Sequence, residues 1–88
     1  MSQGLVLKKI SPVYPAMARQ FHKEGAVQLL ATIDKYGEVK KIHVLSGDGM
    51  LVKAATDAVE QWEYRPYLLN GQPVEIETQI TVVFKAQN

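Results

Sequence analysis

Residues 26–46 constrain the fold of this chain more than any other stretch. Over residues 26–34 the side chains alternate, with Val27, Leu29, Ala31 and Ile33 on one face and Gln28, Leu30, Thr32 and Asp34 on the other. Lys35-Tyr36-Gly37-Glu38 follows as a turn in which Gly37 is free to take positive φ. Alternation resumes over 39–46, where Ile42 and Val44 share one face and Lys41 and His43 the other. Two period-two runs around a short glycine-containing loop predict a β-hairpin.

The remaining elements are read by the same logic. Pro12 and Pro15 hold Val13-Tyr14 extended, and Pro15 suits the first position of a helix. A short helix is expected at about 15–23, with Met17 and Phe21 on its buried side and Gly25 as its stop. Residues 50–62 form a second, amphipathic helix. Leu51, Ala55, Ala58, Val59 and Trp62 make its apolar stripe, and Asp48 is a candidate cap. Pro66 closes this region, and Asn70-Gly71 marks a further turn. Residues 74–85 read as the longest strand, with Val74, Ile76, Thr78, Ile80, Val82 and Phe84 on one face. Before residue 13 only Leu5 and Leu7 hint at a short strand. The order α-β-β-α-β predicts an α+β, two-layer domain: an antiparallel three-stranded sheet with two helices on one face. Residues 1–12 are assigned as an extended N-terminal segment and 13–88 as the domain.

Composition narrows the function classes. Eighty-eight residues make a single small domain with no room for a second lobe. Ten basic side chains against nine acidic ones leave a net charge of +1, too little for a general nucleic-acid binder. Without cysteine there is no disulfide framework or thiolate metal site. No apolar run approaches the roughly 20 residues that span a bilayer. No signal peptide opens the chain, since Lys8 and Lys9 are followed by Ile-Ser-Pro, which leaves a cytosolic protein or a piece of a longer one.

A search for chemistry finds little. His22 and His43 have no partner at metal-ligand spacing, and both are expected on the surface. Glu75 and Glu77 point the same way on one strand and read as a solvated rim. Ser2, Ser11 and Ser46 lack a nearby base, and Gly47-Asp48-Gly49 lacks the rest of a phosphate-binding signature. No catalytic residue, cofactor or metal is therefore expected. What remains is binding. A small sheet has two edges of unpaired backbone groups. The last strand is long, β-branched on alternate positions and lightly charged between Thr78 and Phe84, suited to pairing with a strand from a partner. Each added backbone hydrogen bond contributes a net of about 0.5–1.5 kcal/mol. Periodicity alone leaves open whether this strand lies at the edge or in the middle of the sheet.

Six motifs in order resemble a known family. They are Tyr14-Pro15 with Ala18 and Gly25-Ala26-Val27, then Asp34-Lys35-Tyr36-Gly37-Glu38-Val39, then Leu45-Ser46-Gly47 before the Leu51 to Trp62 helix. Trp62-Glu63-Tyr64-Arg65-Pro66, Gly71-Gln72-Pro73-Val74 and Ile80-Thr81-Val82-Val83-Phe84 complete the set. Together they resemble the C-terminal domain of TonB-type energy transducers over about residues 12–85. Ser11 and Val13 stand where the best-known members carry glutamines, and Glu63 precedes Tyr64 where those members carry a basic residue.

The resemblance implies a periplasmic domain of an inner-membrane-anchored protein of a Gram-negative bacterium. Such a domain captures the TonB box of an outer-membrane transporter, and inner-membrane motor proteins acting through an N-terminal part couple proton-motive force to uptake. The box pairs with the last strand, which the resemblance places at an edge. Carried over, the partner-binding residues are Thr78, Gln79, Ile80, Thr81, Val82, Val83, Phe84 and Lys85, with Ile10, Ser11, Pro12 and Val13 as a second contact region. Tyr14, Trp62, Tyr64 and Phe84 are expected to serve as core packing. A strand-swapped homodimer through the same strand is a further expectation. The other reading is a sensor or accessory domain fused to a membrane-bound peptidase or signalling protein.

Overall fold

The computed structural model describes residues 6–85. Leu5 and Ser2 lie outside the described residues. The elements run β1 (Val6–Lys8), α1 (Ala16–Gln20), β2 (Gly25–Ile33), β3 (Val39–Ser46), α2 (Gly49–Val59), β4 (Glu63–Tyr64), β5 (Tyr67–Leu69), β6 (Gln72–Val74) and β7 (Ile76–Phe84). The main sheet is antiparallel and three-stranded in the order β3-β2-β7, so the first strand of the hairpin is central. Two short two-stranded sheets, β1 with β4 and β5 with β6, are separate from it. The result is the expected α+β domain, elongated to 49 × 21 × 18 Å.

The alternation is realised in the burial of β2 and β7, whereas in β3 Ile42 is half-buried and Val44 is exposed like Lys41 and His43. Leu29 lies opposite Val44 on β3 and Ile80 on β7, and Val27 lies opposite Val82, so one set of side chains from each strand shares a face. On that face Val27, Leu29, Ala31, Ile33, Ile80, Val82 and Phe84 are buried together with Ala18 of α1 and Leu51, Ala55 and Val59 of α2. The hairpin turn is held by the Asp34 carboxylate, which accepts from the backbone N–H groups of Tyr36 and Glu38, both at 2.9 Å. Asp48 caps α2 as expected, accepting from the Met50 N–H at 2.8 Å.

Three local expectations need correction. The first helix is shorter than 15–23, and its buried residue is Ala18, while Met17 and Phe21 are 60% and 58% exposed. It stops at His22 rather than at Gly25. His22 adopts φ 57°, the Lys23 N–H bonds back to the Ala18 carbonyl at 2.8 Å and the His22 N–H to that of Arg19 at 3.1 Å. That is a Schellman ending with histidine in the left-handed position usually held by glycine. The second helix ends at Val59, so Trp62 lies beyond it, after a tight turn in which the Trp62 N–H reaches the Val59 carbonyl at 3.0 Å. The run 74–85 is not one strand. It breaks at Glu75 because Val74 pairs back with Tyr67 across the Asn70-Gly71 turn, whereas Ile76 pairs with Ile33.

Candidate functional site

β7 lies at the edge of the sheet, pairing with β2 on one side and with no other strand among the described residues. Along a strand, backbone N–H and C=O groups point alternately to either side. Every second residue of β7 therefore turns its backbone polar groups away from β2. Thr78, Ile80, Val82 and Phe84 are buried on the helix side, and Gln79, Thr81, Val83 and Lys85 are exposed on the other. On the exposed face the Gln28 amide oxygen accepts from the Gln79 amide at 3.2 Å and from the Thr81 hydroxyl at 2.7 Å, which ties β7 to the central strand.

Across from this edge runs the N-terminal segment. β1 is held by its antiparallel pairing with β4. The Trp62 indole N–H donates to the Ile10 carbonyl at 3.0 Å, and the Lys9 ammonium lies 5.4 Å from the centre of the Trp62 ring. Tyr14 meets Phe84 edge-on at 5.5 Å, and its hydroxyl donates to the Lys23 carbonyl. Between segment and strand lies a groove of three successive hollows. In the first, of about 150 Å³, Val6, Lys9, Trp62 and Tyr64 face Thr78–Thr81. In the second, of about 180 Å³, Lys9–Pro12 and Trp62 face Thr81–Val83. The third opens to solvent between Ser11, Pro12, Tyr14 and Val83–Lys85.

The structure thus brings Ile10, Ser11 and Pro12 against Thr78–Lys85, as two walls of one groove. Val13 is elsewhere. It is 82% exposed and lines a separate apolar hollow with Met50, Ala54 and Ala58 of α2. Val6, Lys9, Tyr14, Trp62 and Tyr64 also line the groove and were not among the expected binding residues. Of the aromatics expected in the core, Tyr64 and Phe84 are buried, but Tyr14 and Trp62 are half-buried. A tryptophan followed by a polar-aromatic-polar-proline run was the available signal, and it reads equally as core. Burial pushes the Tyr64 phenol above its usual range.

The sequence pattern of the family described as Gram-negative bacterial TonB protein C-terminal matches residues 10–86. The chain belongs to the TonB C-terminal family. It is 34% identical over 86 residues to Protein TonB of Vibrio cholerae, an alignment that takes in 96% of this chain and 35% of that protein. The chain therefore spans about a third of the length of that relative. The solution NMR structure of the Pseudomonas aeruginosa TonB CTD is similar, with a TM-score of 0.78, 29% identity, and 94% of this chain matched to 86% of that one. A structure of the tonB2 protein from Vibrio anguillarum is also similar, with a TM-score of 0.71, 32% identity, and 100% of this chain matched to 86% of that one.

Other candidate chemistry in this TonB C-terminal domain lies scattered. His22, His43, Glu75 and Glu77 are all exposed. Among the described residues no three His, Asp or Glu side chains are grouped to hold a metal ion, and no helix is long and apolar enough to cross a membrane.

Proposed function

We propose that this domain is the periplasmic docking end of a TonB-type energy transducer, a binding module and not an enzyme. It captures the TonB box of an outer-membrane transporter as an added strand on β7. An inner-membrane-anchored remainder of the protein, driven by motor proteins there, pulls on that strand to couple proton-motive force to uptake. The observation that carries the reading is the position of β7 at the sheet edge with a groove beside it. Its unpaired backbone groups supply the hydrogen bonds that hold an extended peptide, and the groove supplies hollows for alternate side chains. Membership of the family supports the choice of partner. About five such bonds, at about 0.5–1.5 kcal/mol each, supply about 2.5–7.5 kcal/mol, less than the roughly 8 kcal/mol of micromolar binding, so side chains seated in the hollows must supply the rest.

The test is a titration of the domain with TonB-box peptides while backbone amide shifts are followed. Shifts concentrated in the amides of Thr78–Lys85 and Lys9–Ser11 are expected. If those amides stay still while binding is detected by calorimetry, the edge-strand mode is wrong.

A further inference from the structure

The groove beside β7 is lined by charge of one sign only. Lys9 lies in its two inner hollows and Lys85 at its open end. No aspartate or glutamate among the described residues lines any of the three, and neither Glu63 nor Glu77 reaches them. Among the described residues Lys9 and Lys85 have no carboxylate partner, whereas Lys23 and Lys53 each have one and Lys40 has two.

Lys9 is also held in place. Its ammonium sits 5.4 Å from the centre of the Trp62 ring, and the indole N–H of the same ring is bonded at 3.0 Å to the carbonyl of the next residue, Ile10. The ring that attracts the cation is thus anchored to the backbone beside it. A cation positioned in advance loses less freedom on pairing than a loose one. A cleft lined by one sign of charge also concentrates partners of the opposite sign.

We infer that the groove selects extended peptides bearing a carboxylate side chain that reaches Lys9, with Lys9 as the specificity-determining residue. The inference rests on the docking reading above and adds the chemistry of the partner. Apolar side chains of the peptide pack on Trp62 and Ile10. Lys85 lies four residues beyond Thr81, about 13 Å along the strand. A second carboxylate four residues from the first would therefore face it. Each pair is partly exposed, so each contributes about a two- to fivefold gain in affinity at low salt, and less as salt rises.

The test uses a symmetric seven-residue peptide, blocked at both ends, Val-Glu-Val-Thr-Val-Glu-Val, against its counterpart with glutamine for both glutamates. Either chain direction then offers a carboxylate to each lysine. Calorimetry gives the affinities, and amide shifts give the site. The glutamate peptide is expected to bind severalfold more tightly, with the gap closing between about 50 and 500 mM salt. Lys9→Gln should remove the roughly two- to fivefold share of the gap that belongs to Lys9, and Lys9→Arg should restore it. Equal affinities, or a gap that Lys9→Gln leaves intact, would overturn the role of Lys9 while docking on β7 stands. If neither peptide moves the Thr78–Lys85 amides, docking by strand addition fails for such ligands, and the inference falls with it.

Discussion

The indole N–H of Trp62 donates to the carbonyl of Ile10 at 3.0 Å, a contact between residues 52 apart in the chain. It fastens the segment that forms one wall of the groove to the turn that follows α2. The pairing of β1 with β4 then continues the attachment, with Val6 opposite Tyr64.

Trp62→Phe keeps most of the ring but removes the donor. A loss of about 1 kcal/mol in urea unfolding is expected. Hydrogen exchange should quicken at residues 6–10 more than in β2, because the wall loosens before the sheet does. Unchanged exchange at residues 6–10 would show that the contact does not hold the segment.

Gly37 and Gly71 separate two costs of adding a methyl group. Both have positive φ, 87° and 80°. A Cβ on Gly37 would stand 1.9 Å from the Tyr64 carbonyl oxygen, whereas one on Gly71 would meet nothing within 4 Å. Gly71→Ala should cost about 1–2 kcal/mol through backbone strain alone. Gly37→Ala should cost about 3 kcal/mol or more, because β4 must also move away from the turn. Comparable urea midpoints for the two variants would contradict the close approach.

Stability should fall in acid for a local reason. The Asp34 carboxyl is held below its ordinary value of 3.8 chiefly by the hydrogen bond from the Glu38 N–H, with smaller help from the Tyr36 N–H and Lys40. Asp48 is lowered from 3.8 chiefly by the Met50 N–H, and also by Lys23. A carboxyl whose folded value is depressed contributes stability that is complete above its unfolded value and is lost as pH falls through the folded one. The urea midpoint should therefore hold from neutrality to about pH 5 and decline below about pH 4. Asp34→Asn and Asp48→Asn should flatten that decline. An equally steep decline in the double variant would assign it to other carboxylates.

Val83 tests the groove without touching the core. It is 56% exposed and lines the two outer hollows. Val83→Glu should leave stability within about 0.5 kcal/mol of the parent. It should weaken binding of a box peptide severalfold, by placing an anion where an apolar side chain lined the wall. An unchanged affinity would place docking elsewhere.

Much of the fold was legible in the residues themselves. The bounds of β3, the buried faces of β2 and β7, the Asp48 cap and the apolar stripe of α2 all follow from local periodicity and turn chemistry. These report which way a side chain points relative to its neighbours in sequence. The ending of α1 was not legible, because histidine enters the left-handed region too seldom for one sequence to announce it. The break at Glu75 was hidden for another reason. Alternation continues unbroken from Val74 to Phe84, while the partner strand changes from β5 to β2.

The amino-acid sequence by itself determined that the last strand is lightly charged and that six motifs of one family run in order along the chain, the sixth of them inside that strand. Periodicity assigns faces but never neighbours, so the edge place of β7, implied only by the family resemblance, rests on the tertiary structure, in which β2 takes the centre. The tertiary structure also decided that Trp62 turns towards Ile10 and holds Lys9 beside that edge, while Val13 faces the other way. Those positions depend on where a segment some fifty residues upstream comes to lie, and contacts of that span are made only when the chain closes on itself.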